Sequence, residues 1–171
     1  MNLLAGDVVL FRGNSLISRL IRWVTRDAGE AKTIVNHCGI MINSAELVEA
    51  KTRTIRRVFI YPKNCWVYRK SDLTPGQRKI IVTRAQGYVG MQYGWLKIVA
   101  HAVDHLLFMD KYVARRLCRL DNYPICSWLV AYAYDGIGYQ FGVPPWACTP
   151  DDIDDWIKAY PSEWTQVYPS A

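Results

Sequence analysis

The sequence predicts an α+β fold in which an antiparallel sheet packs on helices. Three observations predict it. Short apolar runs bounded by turn residues crowd the first 70 positions, and the apolar period lengthens to that of a helix beyond Thr74. With 171 residues at 51% hydrophobic, the chain can bury one sizeable core. A single domain over 1–171 is therefore expected, with no internal repeat, low-complexity tract or linker.

Asp7 to Phe11, an apolar run behind Gly6, reads as a buried strand. Leu16, Ile17, Leu20, Ile21 and Val24 then recur at helical spacing, with Ser15 placed to cap an amphipathic helix. Cys38 to Ile42 is a second strand, joined through a turn around Asn43 to Glu46 to a partner at Leu47 to Ala50. Ile55 to Tyr61 and Trp66 to Arg69 continue the sheet. Thr74-Pro75-Gly76-Gln77 opens a helix over 77–89, because proline suits a first turn whose N–H groups are unbonded anyway. From Trp95 to about Leu120 the pattern is helical again, with Ile98, Val99, Ala102, Val103, Leu106, Leu107, Val113 and Leu117 on its apolar side. Residues 126–134 read as a buried helix preceded by Pro124 and ended by Gly136. Thr149 to Trp156 is a capped helix start whose aspartates suit the positive end of the helix dipole.

Twenty-one basic against fifteen acidic residues give a net charge of +6, which favours anionic surroundings without choosing among wall polymer, nucleic acid and lipid. The clusters Arg53 to Arg57 and Arg115 to Arg119 read equally as solvated faces. No nucleic-acid-binding module accompanies them, so no nucleic acid partner is expected. The opening Met-Asn-Leu-Leu-Ala-Gly-Asp reaches an acidic residue before any apolar run of signal length, and no stretch approaches the ~18 apolar residues of a spanning helix. These features predict a cytoplasmic protein, or a phage-encoded one delivered by another route, with no transmembrane segment. Five cysteines without paired spacing argue against a disulfide framework and a structural zinc site.

Thiol chemistry needs a base, because free cysteine at a pKa of about 8.5 is mostly protonated at neutral pH. Only His37, His101 and His105 supply an imidazole. His37 stands at the lip of a strand, where a side chain can enter a cleft. Cys126 falls at the predicted first turn of an apolar helix, whose unbonded N–H groups and positive end favour a thiolate. The competing reading is a small buried apolar residue. Cys38, Cys65 and Cys118 read as packing, while Cys148, in a loop, stays open. His101 and His105, four apart with Asp104 between them, lack a third ligand and read as packed or solvated rather than metal-binding. For Ile98 to Met109, followed by Lys111, Arg115, Arg116 and Arg119, three readings stay open: an anionic membrane contact, a lid over the cleft, or a core helix with a basic rim.

Four pieces in order, Gly6-Asp7-Val8-Val9-Leu10-Phe11, Asn36-His37-Cys38-Gly39-Ile40-Met41-Ile42, Leu47-Val48-Glu49-Ala50 and Ile125-Cys126-Ser127-Trp128-Leu129-Val130, resemble the circularly permuted, YiiX-like NlpC-type papain-like amidohydrolases. The match spans about residues 6–135. The resemblance implies a papain-like antiparallel half-barrel sheet packed on helices, with histidine before cysteine in sequence; the stretch at about 95–120 departs from the family pattern as a helical insertion or enlarged helical region. The resemblance also implies Cys126 as nucleophile, His37 as base, Glu49 as the group orienting the imidazole, and Tyr93 near the substrate. Gly94 stands where the family commonly has aspartate after that tyrosine. Glu49 reaches His37 only if the hairpin turn holds an odd number of residues. Three, Asn43 to Ala45, place Glu49 opposite Gly39 and diagonal to His37, whereas an even turn puts it on the other face.

Hydrolysis of an amide bond in peptidoglycan or a derived peptide, without metal or cofactor, is the activity this resemblance implies. Acyl transfer or lipid hydrolysis of the lecithin retinol acyltransferase type, and a non-catalytic binding module, are the alternatives.

Overall fold

The computed structural model describes residues 2–14, 16–24, 34–108, 113–118 and 123–169. Six strands form one sheet: β1 (Val8–Phe11), β2 (His37–Met41), β3 (Glu46–Ala50), β4 (Thr54–Val58), β5 (Cys65–Lys70) and β6 (Trp164–Tyr168), in the order β4-β3-β2-β1-β5-β6 with every pairing antiparallel. The described helices are α1 (Leu16–Val24), α2 (Pro75–Gly87), α3 (Trp95–Val103), which runs into a π-helical segment (Asp104–Phe108), α4 (Val113–Leu117), α5 (Cys126–Asp135) and α6 (Pro150–Ala159). The mixed α+β class therefore holds.

Strand alternation divides the core. Val8, Leu10, Cys38, Ile40, Val48 and Ala50 turn to the face that α5 covers, while Val9, Met41, Leu47 and Val67 turn to a smaller cluster on the other face. Helix starts follow their sequence signals. Thr74 and Gln77 close a capping box on α2, and Thr149 and Asp152 close one on α6. The expected cap Ser15 lies outside the described residues. At the head of β1, Asp7 is fully buried, accepts from the Leu4 N–H (2.8 Å) and pairs with Arg69 (2.7 Å), so the Gly-Asp motif anchors the sheet rather than serving a cleft.

Three expectations need correction. The run to Tyr61 is strand only as far as Val58, and Tyr61 itself adopts a φ of 51°, a left-handed conformation that a strand does not carry. Strand β6, unassigned from sequence, extends the sheet beyond β5. Most of the described part of the apolar side assigned to 95–120 turns away from the core: Val99, Leu106, Leu107, Val113 and Leu117 are exposed, while Ile98 packs against the core and Lys97, His101, Asp104 and Arg115 are buried. Arg115 accordingly leaves the proposed basic rim. No helix among the described residues is long and apolar enough to cross a membrane.

Candidate active site

The β2–β3 hairpin sets the geometry. The Asn43 side-chain oxygen accepts from the N–H groups of Ala45 and Glu46, both at 2.8 Å, and the Ile42 N–H donates to the Glu46 carbonyl. This closes a three-residue turn. The odd count puts Gly39 opposite Glu49 and leaves His37 on the same face, one diagonal away. A side chain on Gly39 would stand 2.8 Å from the Val48 carbonyl oxygen and 3.2 Å from the Glu49 Cβ, so glycine is what lets the carboxylate lean across. His37 Nε2 and Glu49 Oε2 are 2.7 Å apart. The Phe11 ring, 5.4 Å from the imidazole between centroids, limits its rotation.

Glu49 is fully buried and needs compensating charge. It receives it from His37, from Arg57 on β4, and from Lys51 at 3.0 Å. Burial raises its pKa, but the hydrogen bond from His37, reinforced by Arg57 and Lys51, holds the carboxyl well below the usual range.

Cys126 is the first residue of α5, and its thiol lies within electrostatic reach of the side chains of His37, Cys38 and Tyr93. With Nε2 engaged by Glu49, Nδ1 is the ring atom left for the thiol. The Cys38 side chain is the largest influence lowering the Cys126 pKa; the charge and hydrogen bond of His37 and the Cys38 N–H add to it and outweigh burial. Burial lowers His37, yet the Cys126 and Glu49 charges and hydrogen bonds lift it to about 9. An imidazolium–thiolate pair is the protonation state these shifts favour. Tyr93 moves upward through burial and the neighbouring thiolate, and stays a donor.

The structure thus brings Cys126, His37, Glu49 and Tyr93 together. Cys38, read from sequence as packing, does pack, but its side chain also touches the thiol of Cys126; period-2 alternation placed it on the α5 face without showing what waits there. Gly94 answers a local demand: a side chain at that position would meet the Tyr123 carbonyl oxygen at 2.5 Å, where the chain approaches α5. Cys148 is buried, and burial pushes its thiol up. Cys65, away from the site, is raised to about 11. His101 is 2% exposed and held neutral by burial and the Arg115 charge, with neither ring nitrogen hydrogen-bonded; the side chain of His105 lies outside the described residues. Among the described residues no group of three or more His, Cys, Asp or Glu converges as metal ligands.

A cleft of about 610 Å³ opens over His37, Glu49, Arg57, Tyr93 and Trp95. A narrower recess shares Ile21 and Asn36 with it and reaches Cys126 and His101. Comparison with models of known protein families and with characterised proteins gives no match.

Proposed function

We propose that the chain is a papain-like cysteine hydrolase of the permuted NlpC type that cleaves an amide bond, in peptidoglycan or a peptide derived from it. The observation that carries the reading is the thiol at the N-terminus of α5, within electrostatic reach of an imidazole whose Nε2 is held 2.7 Å from a buried carboxylate. Nucleophile, base and orienting group occur in the chain of contacts that acyl transfer requires.

In the reaction this geometry supports, the Cys126 thiolate attacks the carbonyl carbon, forming a C–S bond and an oxyanion. The Cys126 N–H, at the start of a helix without a side-chain cap, and the Tyr93 hydroxyl stabilise that charge. Collapse breaks the C–N bond as His37 gives its proton to the departing amine. Neutral His37 then takes a proton from water, whose hydroxide displaces the thiolate and releases the acid. Glu49 holds the imidazole and its positive charge throughout.

The test is direct. Cys126→Ala and Cys126→Ser are expected to fold normally, lose iodoacetamide labelling at neutral pH and lose turnover of wall-peptide amides. Full activity in either variant removes the assignment, and an unreactive wild-type thiol at neutral pH leaves only a binding module. A second reading, acyl transfer or lipid hydrolysis through the same acyl-enzyme, is favoured by the exposed leucines on the segment that begins at Trp95, a residue of the cleft wall. Release of fatty acid rather than free amine identifies it.

A further inference from the structure

Trp95–Phe108 and Val113–Leu117 turn charged side chains inward and leucines outward. Lys97 donates to the Tyr123 carbonyl and lies 4.1 Å from the centre of the Trp128 ring. Asp104 accepts from the N–H groups of Ala114 (2.7 Å) and Arg115 (3.0 Å), and pairs with the Arg115 guanidinium at 3.2 Å. That guanidinium also donates to the Ala147 carbonyl at 3.0 Å. Outward stand Leu96, Val99, Leu106, Leu107 and Leu117, all between 56 and 77% exposed. Rolling the segment to bury these side chains would strip three buried charges of their partners, at several kcal/mol each, so the polar contacts lock the apolar side outward.

Charge says what fits there. Residues 95–120 carry five basic and two acidic residues, and α1, which packs on α3, carries two basic and none acidic. With the buried Lys97, Arg115 and Asp104 set aside, these two stretches still carry a net charge of +4 out of the chain's +6. Arg19 and Arg116 are exposed, as are Trp23 and Trp95, the residue type suited to a water–hydrocarbon boundary. A second copy of the chain would set two faces of like charge against each other. An apolar face rimmed by arginine and tryptophan matches an anionic bilayer surface.

We propose that this face docks the protein on an anionic lipid bilayer, lying in the interface without crossing it. Trp95 also lines the cleft, so docking sets one wall of the cleft against the membrane. The proposal does not depend on the catalytic reading.

Vesicle flotation with the full chain tests it, using phosphatidylcholine with and without phosphatidylglycerol. Anionic vesicles are expected to capture the protein at least about tenfold more strongly than neutral ones, with the difference shrinking at high salt. Leu106→Asp with Leu107→Asp, both exposed, is expected to weaken capture about tenfold or more. Arg116→Glu reverses one charge and leaves the apolar side chains in place, and is expected to weaken capture only by anionic vesicles. No binding, or equal binding to both vesicle types, overturns the proposal. So does a solution dimer that the double substitution dissociates, since the face then belongs to a second copy. Alkylation of Cys126, followed in the same samples, reports on the catalytic reading separately.

Discussion

Burial alone would raise the thiol of Cys126, which is 3% exposed, so its reactivity depends on the groups that touch it. Cys38 is the largest of these and the least expected from the sequence. Cys38→Ala is expected to raise the apparent pKa of Cys126 by at least about one unit, equivalent to about 1.4 kcal/mol, read from the pH dependence of iodoacetamide alkylation. Cys38→Ser keeps a donor and is expected to move it less; an unchanged profile in both variants reduces Cys38 to packing. His37 sets the opposite limb. Its folded value of about 9 lies above the ~6.5 of an unfolded chain, so the imidazolium contributes its full stabilisation below about pH 6.5 and loses it as pH rises through 9. Activity is expected to fall on the alkaline side near that value. Glu49→Gln removes one of the charges that raise His37, so the alkaline limb is expected to move to lower pH. It also leaves Arg57 and Lys51 without their carboxylate, so stability should fall with it. The rate is expected to drop ten- to a thousand-fold, about 1.4–4 kcal/mol, against complete loss for Cys126→Ala. A full rate with an unmoved limb would make Glu49 structural only.

At the scale of elements, what could be read from the sequence was whatever local spacing decides. The three-residue turn at Asn43 to Ala45 placed Glu49 opposite Gly39, and Pro124 before an apolar run located the start of α5. Strand β6 was missed because Trp164 to Tyr168 is short, and only its pairing with β5 makes it a strand. The 95–120 segment was misjudged for a different reason. A helical period identifies a stripe of like side chains, but which stripe turns inward depends on the partners offered, and here the loop carbonyls of Tyr123 and Ala147 favour Lys97 and Arg115. Asp104 ties the π-helical segment to α4 through two N–H groups and a buried guanidinium. Asp104→Asn leaves that guanidinium uncompensated, and is expected to cost about 3–5 kcal/mol in chemical denaturation. A loss below about 1 kcal/mol would mean that the exposed leucines are not held outward by this pair.

Across the whole molecule, the catalytic end of α5 depends on an anchor at its other end. Tyr134, near the helix C-terminus, is fully buried and donates from its hydroxyl to the Gly6 carbonyl at 2.7 Å, which ties the helix to the turn before β1. Its ring packs on Phe141 and Trp164, with centroids at 5.3 and 5.7 Å. The Trp164 indole donates to the Tyr139 hydroxyl at 2.9 Å, as does that of Trp156 at 2.8 Å, so β6, α5 and α6 meet in one aromatic cluster. The sheet's last strand therefore bears on the helix that presents Cys126, although the thiol lies at that helix's opposite end. Trp164→Ala empties the middle of the cluster, and is expected to cost about 3–5 kcal/mol. In a chain of this length that corresponds to a fall of about 6–20 °C in Tm. The local contacts of Cys126 with His37, Cys38 and Tyr93 do not pass through the cluster. At temperatures where the variant is still folded, its alkylation profile against pH should therefore match that of the wild type. A large fall in Tm with an unshifted profile separates the anchoring of α5 from the tuning of its thiol; a shifted profile would show that the sheet edge helps set the pKa of Cys126.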